Sequence, residues 1–152
     1  MGDWHPESPL RLSVIDDQLH SARLFDYLMH HTALKADRGQ LLRVHDAAYI
    51  DLVEAAAPVE GFYVLDPDTS MNPYTLDAAY HAAGGAVMGV DLVMRREVSN
   101  AFVACRPPGH HATRNQAMGF CIFNNVAVAA AHAVEAHSLE RVAIVDFDVH
   151  HG

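Results

Sequence analysis

Residues 101–105 and 141–147 read AFVAC and RVAIVDF, and these two apolar runs decide the predicted fold. Each has the length and the continuous apolar character of a strand that is buried on both faces. Between them lie a non-periodic loop, RPPGHHATRNQAMGFC (106–121), and an alanine-rich helical segment, 122–137. The order strand, loop, helix, strand requires a parallel strand pair with a right-handed crossover. The predicted fold class is therefore α/β, a parallel sheet with flanking helices.

The upstream segments supply helices that could cover such a sheet. Apolar spacing predicts helices over 9–27 and 44–53 and a mostly buried helix over 75–96. Residues 61–65 are a short aromatic and β-branched run that is typical of a strand, and 66–74 has the composition of turn and loop.

The composition excludes several classes of protein. With 152 residues, 51% of them hydrophobic and 19% charged, the chain suits one domain with a real core. A formal net charge of -9 is the wrong sign for binding nucleic acid and favours a cationic partner. No secretory signal and no membrane-spanning apolar run is visible, so we expect a cytoplasmic protein that does not bind membranes. Cys105 and Cys121 are expected to be buried free thiols.

The second apolar run leads directly into candidate metal ligands. Because side chains alternate along a strand, Asp146, Asp148 and His150 would point to one side. An aspartate oxygen and a histidine nitrogen two residues apart suit a divalent metal such as zinc. The other carboxylate could orient a nearby histidine or bind a hard cation. The alternative is a strand end that simply carries polar residues into a loop.

Histidine is the residue in which chemistry is expected. The chain has twelve, arranged three times as a pair, and imidazole is both a metal ligand and a proton carrier near pH 7. His110 and His111 follow a stiff Pro-Pro step at the end of the first predicted strand. Because parallel strands end at the same edge of a sheet, this pair should converge with the 146–150 motif on one pocket. The pair His30 and His31 is given no role.

These motifs resemble the signature segments of the histone deacetylase family, which includes bacterial acetylpolyamine amidohydrolases. The strongest similarity is in RPPGHHATRNQAMGFCIFNN (106–125) and RVAIVDFDVHHG (141–152), and weaker similarity extends to HPESPLR (5–11), LLRVHDAAYIDLV (41–53), LDPDT (65–69) and AAYHAAGGAV (78–87). The resemblance implies an arginase/deacetylase-like α/β domain about twice this length or more. Residues 1–152 would be its N-terminal part.

The resemblance also implies roles for the metal and proton-transfer residues. Asp148 and His150 would be zinc ligands, and Asp146 would orient His110. The residues Asp146, Asp148 and His150 would also help to hold a structural monovalent cation, usually K+. His111 would be the main general base and acid, with His110 assisting electrostatically.

Four further residues receive roles in the same way. The Gly119 carbonyl would accept the substrate amide N–H, and Phe120 would form one wall of the channel for the acetylated side chain. Asp68 would be an acid at the rim that meets the substrate, and Arg11 would line an internal exit channel. The family's third zinc ligand, an aspartate, its oxyanion tyrosine and a second channel phenylalanine are expected beyond position 152.

The expected reaction is zinc-dependent hydrolysis of an acetyl-lysine or acetylated small-amine amide to acetate and a free amine. Because a catalytic zinc ion uses three protein ligands and this chain supplies two, the 152 residues alone are expected to be nearly inactive. Three alternatives stay open: a non-catalytic deacetylase-like binder of metal or ligand, an inactive fragment, and a ureohydrolase of the related arginase fold with paired manganese ions. The sequence does not indicate an oligomeric state.

Overall fold

The computed structural model describes residues 5–152, so the first four residues of the predicted domain lie outside the described residues. Within that range the chain forms helices joined by loops and one small sheet. The elements are α1 (Leu10–Ser21), a 3-10 turn (Phe25–Tyr27), α2 (Arg38–Leu42), α3 (Ala47–Ala56), β1 (Tyr63–Asp66), β2 (Thr69–Met71), α4 (Thr75–Met94) and α5 (Asn125–His137). No helix in residues 5–152 is both long enough and apolar enough to cross a membrane.

The structure confirms the predicted helices, with shifted ends. The helix expected over 9–27 is divided, because α1 ends at Ser21 and Arg23 takes a positive φ of 56° before the 3-10 turn. Helix α5 begins at Asn125 rather than Ile122, since the side chain of Asn124 caps it by accepting the backbone N–H of Ala127.

The small sheet is an antiparallel hairpin of β1 and β2. The strand expected over 61–65 is confirmed as β1, but the expectation that 66–74 is all loop is wrong, because β2 lies within it. Tyr63 pairs with Met71, and an irregularity in register precedes the pair Asp66 and Thr69. A strand of three residues is too short for its alternation to show in sequence. The side chain of Met71 is nevertheless fully buried, as a strand facing the core requires.

The two runs that predicted a parallel pair, 101–105 and 141–147, belong to no hydrogen-bonded ladder within residues 5–152, which corrects that prediction. A strand exists only when a neighbour accepts and donates its backbone hydrogen bonds, and apolar periodicity says nothing about which segment is that neighbour. Both runs keep large apolar side chains in solvent: Phe102 is 75% exposed and Phe147 is 97% exposed.

The core lies among α3, α4, α5 and the hairpin. Phe123, just before α5, is fully buried, and the ring of Tyr80 from α4 meets it edge-on with centroids 5.4 Å apart. The other buried apolar side chains of this core are Ala36, Leu41, Tyr49, Ile50, Val53, Met71, Ala79, Ala83, Val87, Ala117, Ile122 and Val128. The expected burial of α4 is confirmed along the face that carries its small residues.

Residues 106–124, here called the long loop, have no regular structure but are held from beneath by buried polar groups. His45, 1% exposed, donates from Nδ1 to the Arg114 carbonyl (3.3 Å) and accepts the Asn124 N–H at Nε2 (3.0 Å). The Tyr49 hydroxyl donates to the Ile122 carbonyl at 2.6 Å. Since buried backbone groups must find partners, these bonds fix the loop although it has no ladder of its own.

Gly84 is the position at which α4 touches the preceding chain most closely. A Cβ there would lie 2.0 Å from the Leu34 carbonyl oxygen and 2.4 Å from the Ala36 nitrogen. We predict that Gly84→Ala lowers the free energy of unfolding by about 1–3 kcal/mol despite the better helix propensity of alanine. The matched control is Gly89→Ala on the same helix, whose Cβ would meet only side chains at 3.3 to 3.4 Å. Equal unfolding temperatures for the two variants would contradict this packing.

His45 gives the stability a dependence on pH. Burial holds its pKa below the ordinary 6.5, and protonation would place a hydrogen on Nε2 against the Asn124 N–H. The unfolded chain therefore binds a proton at His45 more readily than the folded chain does. Above pH 6.5 His45 has no effect of this kind on the free energy of unfolding, and as the pH falls below 6.5 it lowers that free energy. We predict that His45→Gln, though less stable at pH 8, loses less stability between pH 8 and pH 5.5 than the wild type does. Denaturant unfolding at both pH values checks this, and parallel losses would refute it.

Candidate active site

The imidazoles of His110 and His111 lie side by side on the long loop. Their ring centroids are 4.0 Å apart, with an interplanar angle of 44°, and both side chains are half-buried. The pair follows Arg106 and Pro107, which are joined by a cis peptide bond, and the backbone N–H of Ala112 donates to the Gly109 carbonyl at 3.1 Å. The loop therefore turns tightly at the pair.

Asp146 reaches across from the second apolar run to the first of these imidazoles. Its Oδ2 lies 2.8 Å from Nδ1 of His110, although the two residues are 36 positions apart in sequence. The hydrogen bond from His110, with a second from the backbone N–H of Asp148, holds the pKa of the Asp146 carboxyl below its ordinary range. The ionised Asp146 accepts a hydrogen bond from Nδ1–H of His110, which orients the ring.

Asp148 and His150 form a second unit immediately after this contact. Oδ1 of Asp148 accepts the backbone N–H of His150 at 2.8 Å and lies 3.2 Å from that residue's Nδ1. The bond from the His150 backbone is the main reason why the pKa of the Asp148 carboxyl is lowered. The ring of His150 meets that of His111 edge-on, with centroids 6.1 Å apart. The structure thus brings all five predicted metal and proton-transfer residues to one place.

The chemistry of this donor pair fits zinc. Two donors at about 2.1 Å from a tetrahedral zinc ion lie about 3.4 Å apart, close to the 3.2 Å between Asp148 Oδ1 and His150 Nδ1. Both side chains are open to solvent, so their donor atoms can be reached. Within residues 5–152 no third histidine, cysteine or carboxylate completes a set of three clustered donors at this pair.

Gly119 and Phe120 form the tip of a tight turn beside the histidine pair. The backbones of Met118 and Cys121 exchange both hydrogen bonds, and the two residues between them have φ of 55° and 68°. Positive φ at both central positions is the signature of a type I′ turn. At Phe120 this conformation costs about 1–2 kcal/mol, because a side chain crowds the following carbonyl.

The turn touches the histidines through its glycine. A Cβ at Gly119 would lie 2.3 Å from Cδ2 of His111, so only glycine allows the turn to pack this closely against the ring. The Gly119 carbonyl accepts the Cys121 thiol at 3.3 Å. Burial raises the pKa of that thiol to about 11, so the group is a neutral donor. As expected from the sequence, Cys105 and Cys121 are both free, Cys121 buried and Cys105 half-buried.

Asp68 and Arg11 both contact the site from outside it. Oδ1 of Asp68, an exposed residue in the hairpin turn, accepts the Gly119 N–H at 3.1 Å. Arg11, on α1, donates to the carbonyl of Cys105, directly before the long loop, and lies 3.7 Å from the carboxylate of Glu7. Asp68 therefore borders the turn at 118–121, whereas Arg11 borders the beginning of the long loop.

Sequence reasoning missed the groups that hold the site in place. His45 and Tyr49 lie beneath the long loop, and Thr69, fully buried, accepts the Phe120 N–H at 2.9 Å. The resemblance covers all three, but a single sequence gives them no chemical signature. A buried threonine next to a turn aspartate looks like ordinary strand composition.

A second cluster of metal-binding residue types lies between α4 and α5. Nε2 of His132 and Nε2 of His137 each lie 2.7 Å from Oδ1 of Asp91. Nη1 of Arg43, which can only donate, lies 2.8 Å from Nδ1 of His132. The ring proton of His132 must therefore sit on Nε2 and face the carboxylate. This arrangement is a hydrogen-bond network that joins two helices, and its three ligand atoms lie within 4.8 Å of one another, a spacing that could also hold a metal ion.

Comparison with proteins of known sequence places this site in context. A histone deacetylase-like amidohydrolase of Pseudomonas aeruginosa is 40% identical over 148 residues, covering 97% of this chain and 39% of that protein. Polyamine deacetylase HDAC10 of Homo sapiens is 39% identical over 151 residues, covering 96% of this chain and 23% of that protein. An uncharacterized protein of Synechocystis sp. is 40% identical, covering 99% of this chain and 50% of that protein.

A solved structure gives the same result for the fold. The crystal structure of the HDA15 HD domain superposes with a TM-score of 0.82 at 36% identity, covering 87% of this chain and 38% of that one. The predicted arginase/deacetylase-like α/β class is confirmed by this match. The chain spans half or less of the length of each of these four proteins. The histone deacetylase domain family matches residues 5–152, and the chain therefore belongs to that family.

Proposed function

We propose that this chain is the N-terminal part of a single zinc-dependent deacetylase domain, which removes acyl groups from acetyl-lysine or from acetylated small amines. The 2.8 Å contact between Asp146 Oδ2 and His110 Nδ1 carries the proposal. This contact holds the imidazole pair beside Asp148 and His150, the two proposed metal ligands. A general base, an orienting carboxylate and metal ligands then lie next to one another, which is the combination that amide hydrolysis requires.

The two histidines of the pair have different roles in proton transfer. Asp146 holds His110 in one tautomer, so His110 presents a fixed electrostatic environment to its neighbour. His111 takes a proton from the attacking water and returns it to the leaving amine. General acid-base catalysis of this kind contributes roughly 10² to 10⁴ in rate.

Asp148 and His150 would hold the zinc ion. When bound, zinc supplies Lewis-acid polarisation of the acyl carbonyl. Asp146 together with these two residues would also help to hold a structural K+ ion, since carboxylate oxygens suit hard cations. Because a catalytic zinc site uses three protein ligands, we propose that full activity needs residues beyond Gly152.

The turn at 118–121 would form the substrate side of the pocket. The Gly119 carbonyl would accept the substrate amide N–H, Phe120 would form a channel wall, and Asp68 would meet the substrate at the rim. Arg11 would border an exit channel at the start of the long loop. The net charge of -9 favours a cationic amine, and two of the relatives are named as an amidohydrolase and a polyamine deacetylase. The proposed location is the cytoplasm.

The first test compares the 152-residue chain with the same chain extended by the residues that follow Gly152 in its gene, here called the extended protein. The extended protein should release acetate from an acetyl-lysine peptide or an acetylated polyamine, lose activity with a zinc chelator and regain it with zinc. The 152-residue chain should show little or no turnover and bind zinc weakly, because residues 5–152 bring no third donor to Asp148 and His150.

Three outcomes would contradict the proposal. Full activity of the isolated chain at stoichiometric zinc would show that no further residues are needed. An extended protein that binds acetylated amines without turnover would be a non-catalytic binder, and release of urea with manganese would favour the ureohydrolase alternative.

The second test removes the proposed general base. His111→Gln in the extended protein should lower kcat by about 10² to 10⁴ with little change in KM and unchanged zinc content, because the glutamine amide cannot carry the proton. His31→Gln is the matched control, since His31 is an exposed histidine of a pair outside the site. Steady-state kinetics checks both variants, and a wild-type kcat for His111→Gln would remove His111 from the mechanism.

A further inference from the structure

The turn at 118–121 has two backbone donors that it cannot satisfy itself. In a type I′ turn the outer residues exchange the hydrogen bonds, as Met118 and Cys121 do here, so the N–H groups of Gly119 and Phe120 point outward. Both residues are half-buried, and a buried N–H without an acceptor is costly. In this structure both acceptors come from another part of the chain.

They come from two consecutive residues of the hairpin. Oδ1 of Asp68 accepts the Gly119 N–H at 3.1 Å, and Oγ1 of Thr69 accepts the Phe120 N–H at 2.9 Å. The Thr69 hydroxyl donates in turn to the same Asp68 oxygen at 3.0 Å. With its one proton given to Asp68, Oγ1 has a lone pair directed at Phe120, and the role of each group is fixed.

The position of this turn sets the surroundings of the proposed general base. Gly119 packs so closely on His111 that a Cβ would lie 2.3 Å from the ring. On the other side, the ring of His5 meets that of Phe120 edge-on at 4.5 Å, and Nε2 of His5 lies 3.3 Å from the Asp68 carbonyl. A shift of the turn therefore moves both the contact with His111 and the proposed channel wall.

We infer that Thr69 is a positioning residue for the active site, which holds the turn at 118–121 against His111 without touching the substrate. The inference rests on the proposed function for its effect on turnover, but the hydrogen bond itself does not. Thr69 is fully buried in β2, so its side chain cannot meet a substrate. Asp68 shares the same network, but its proposed rim role would confuse the interpretation of a variant there.

The test uses Thr69→Val, which keeps the shape and removes the hydroxyl, and Thr69→Ser, which keeps the hydroxyl. The matched control is Thr75→Val. The Thr75 hydroxyl likewise accepts one backbone N–H and donates to one side-chain oxygen. Both partners belong to Asn72, both distances are 2.9 Å, and neither bond involves the turn at 118–121.

In the extended protein, Thr69→Val should lower kcat/KM about tenfold, and Thr69→Ser should stay within about twofold of wild type. Thr75→Val should leave kcat/KM unchanged even where it lowers the unfolding temperature equally. A wild-type kcat/KM for Thr69→Val, or an equal loss in Thr75→Val, would overturn the inference.

A second measurement separates this inference from the proposed function. In the 152-residue chain, hydrogen exchange of the Phe120 amide and the ring signals of His111 are read by NMR. Thr69→Val should speed the exchange of this amide about tenfold or more and shift the His111 signals, whereas Thr75→Val should do neither. Unchanged signals in Thr69→Val would overturn the positioning role whether or not the extended protein is an enzyme. An inactive extended protein with the expected NMR changes would overturn only the proposed function.

Discussion

The long loop must satisfy the hydrogen bonds of its backbone without belonging to a helix or a sheet, and the rest of the site depends on how it does so. Each of its main supports is a buried polar side chain from a different element: His45 before α3, Tyr49 in α3 and Thr69 in β2. Because these bonds are buried or part-buried, losing one leaves a backbone group poorly paired, which costs stability. The support reaches His111 through the turn, since Thr69 holds Phe120 and the adjacent Gly119 packs on the His111 ring.

The helices and the proposed chemical groups could be predicted from the sequence because their signals are local. The apolar spacing of α4 and the alanine-rich run of α5 lie within single segments. Asp146, Asp148 and His150 form a compact motif of chemically distinctive residues, and His110 and His111 are adjacent. The convergence of the two motifs required one further assumption, that they end at the same place in the fold, and the 2.8 Å contact of Asp146 with His110 shows this proximity.

The remaining features could not be predicted because they depend on pairs far apart in sequence. Thr69 and Phe120 are separated by 51 positions, and Asn124 and His45 by 79. The short strand β2 could not be predicted, because the residues just before it have the composition of a turn and do form one. The apolar runs at 101–105 and 141–147 signalled burial, but a ladder needs a partner strand, which apolar character does not identify.

The left-handed backbone at Phe120 affects which side chains this position can carry. The Phe120 main chain is held by the hydrogen bond from its N–H to Thr69 and by the bonds between Met118 and Cys121. None of these bonds involves the aromatic side chain. At Phe120, the backbone that holds the turn in place is therefore independent of the side chain proposed to line the channel. Other unbranched side chains could replace the Phe120 ring and alter the width or polarity of the proposed channel. Gly119 and the His111 ring on which it packs would keep their positions. Variation of the side chain at this position would then need no remodelling of the fold.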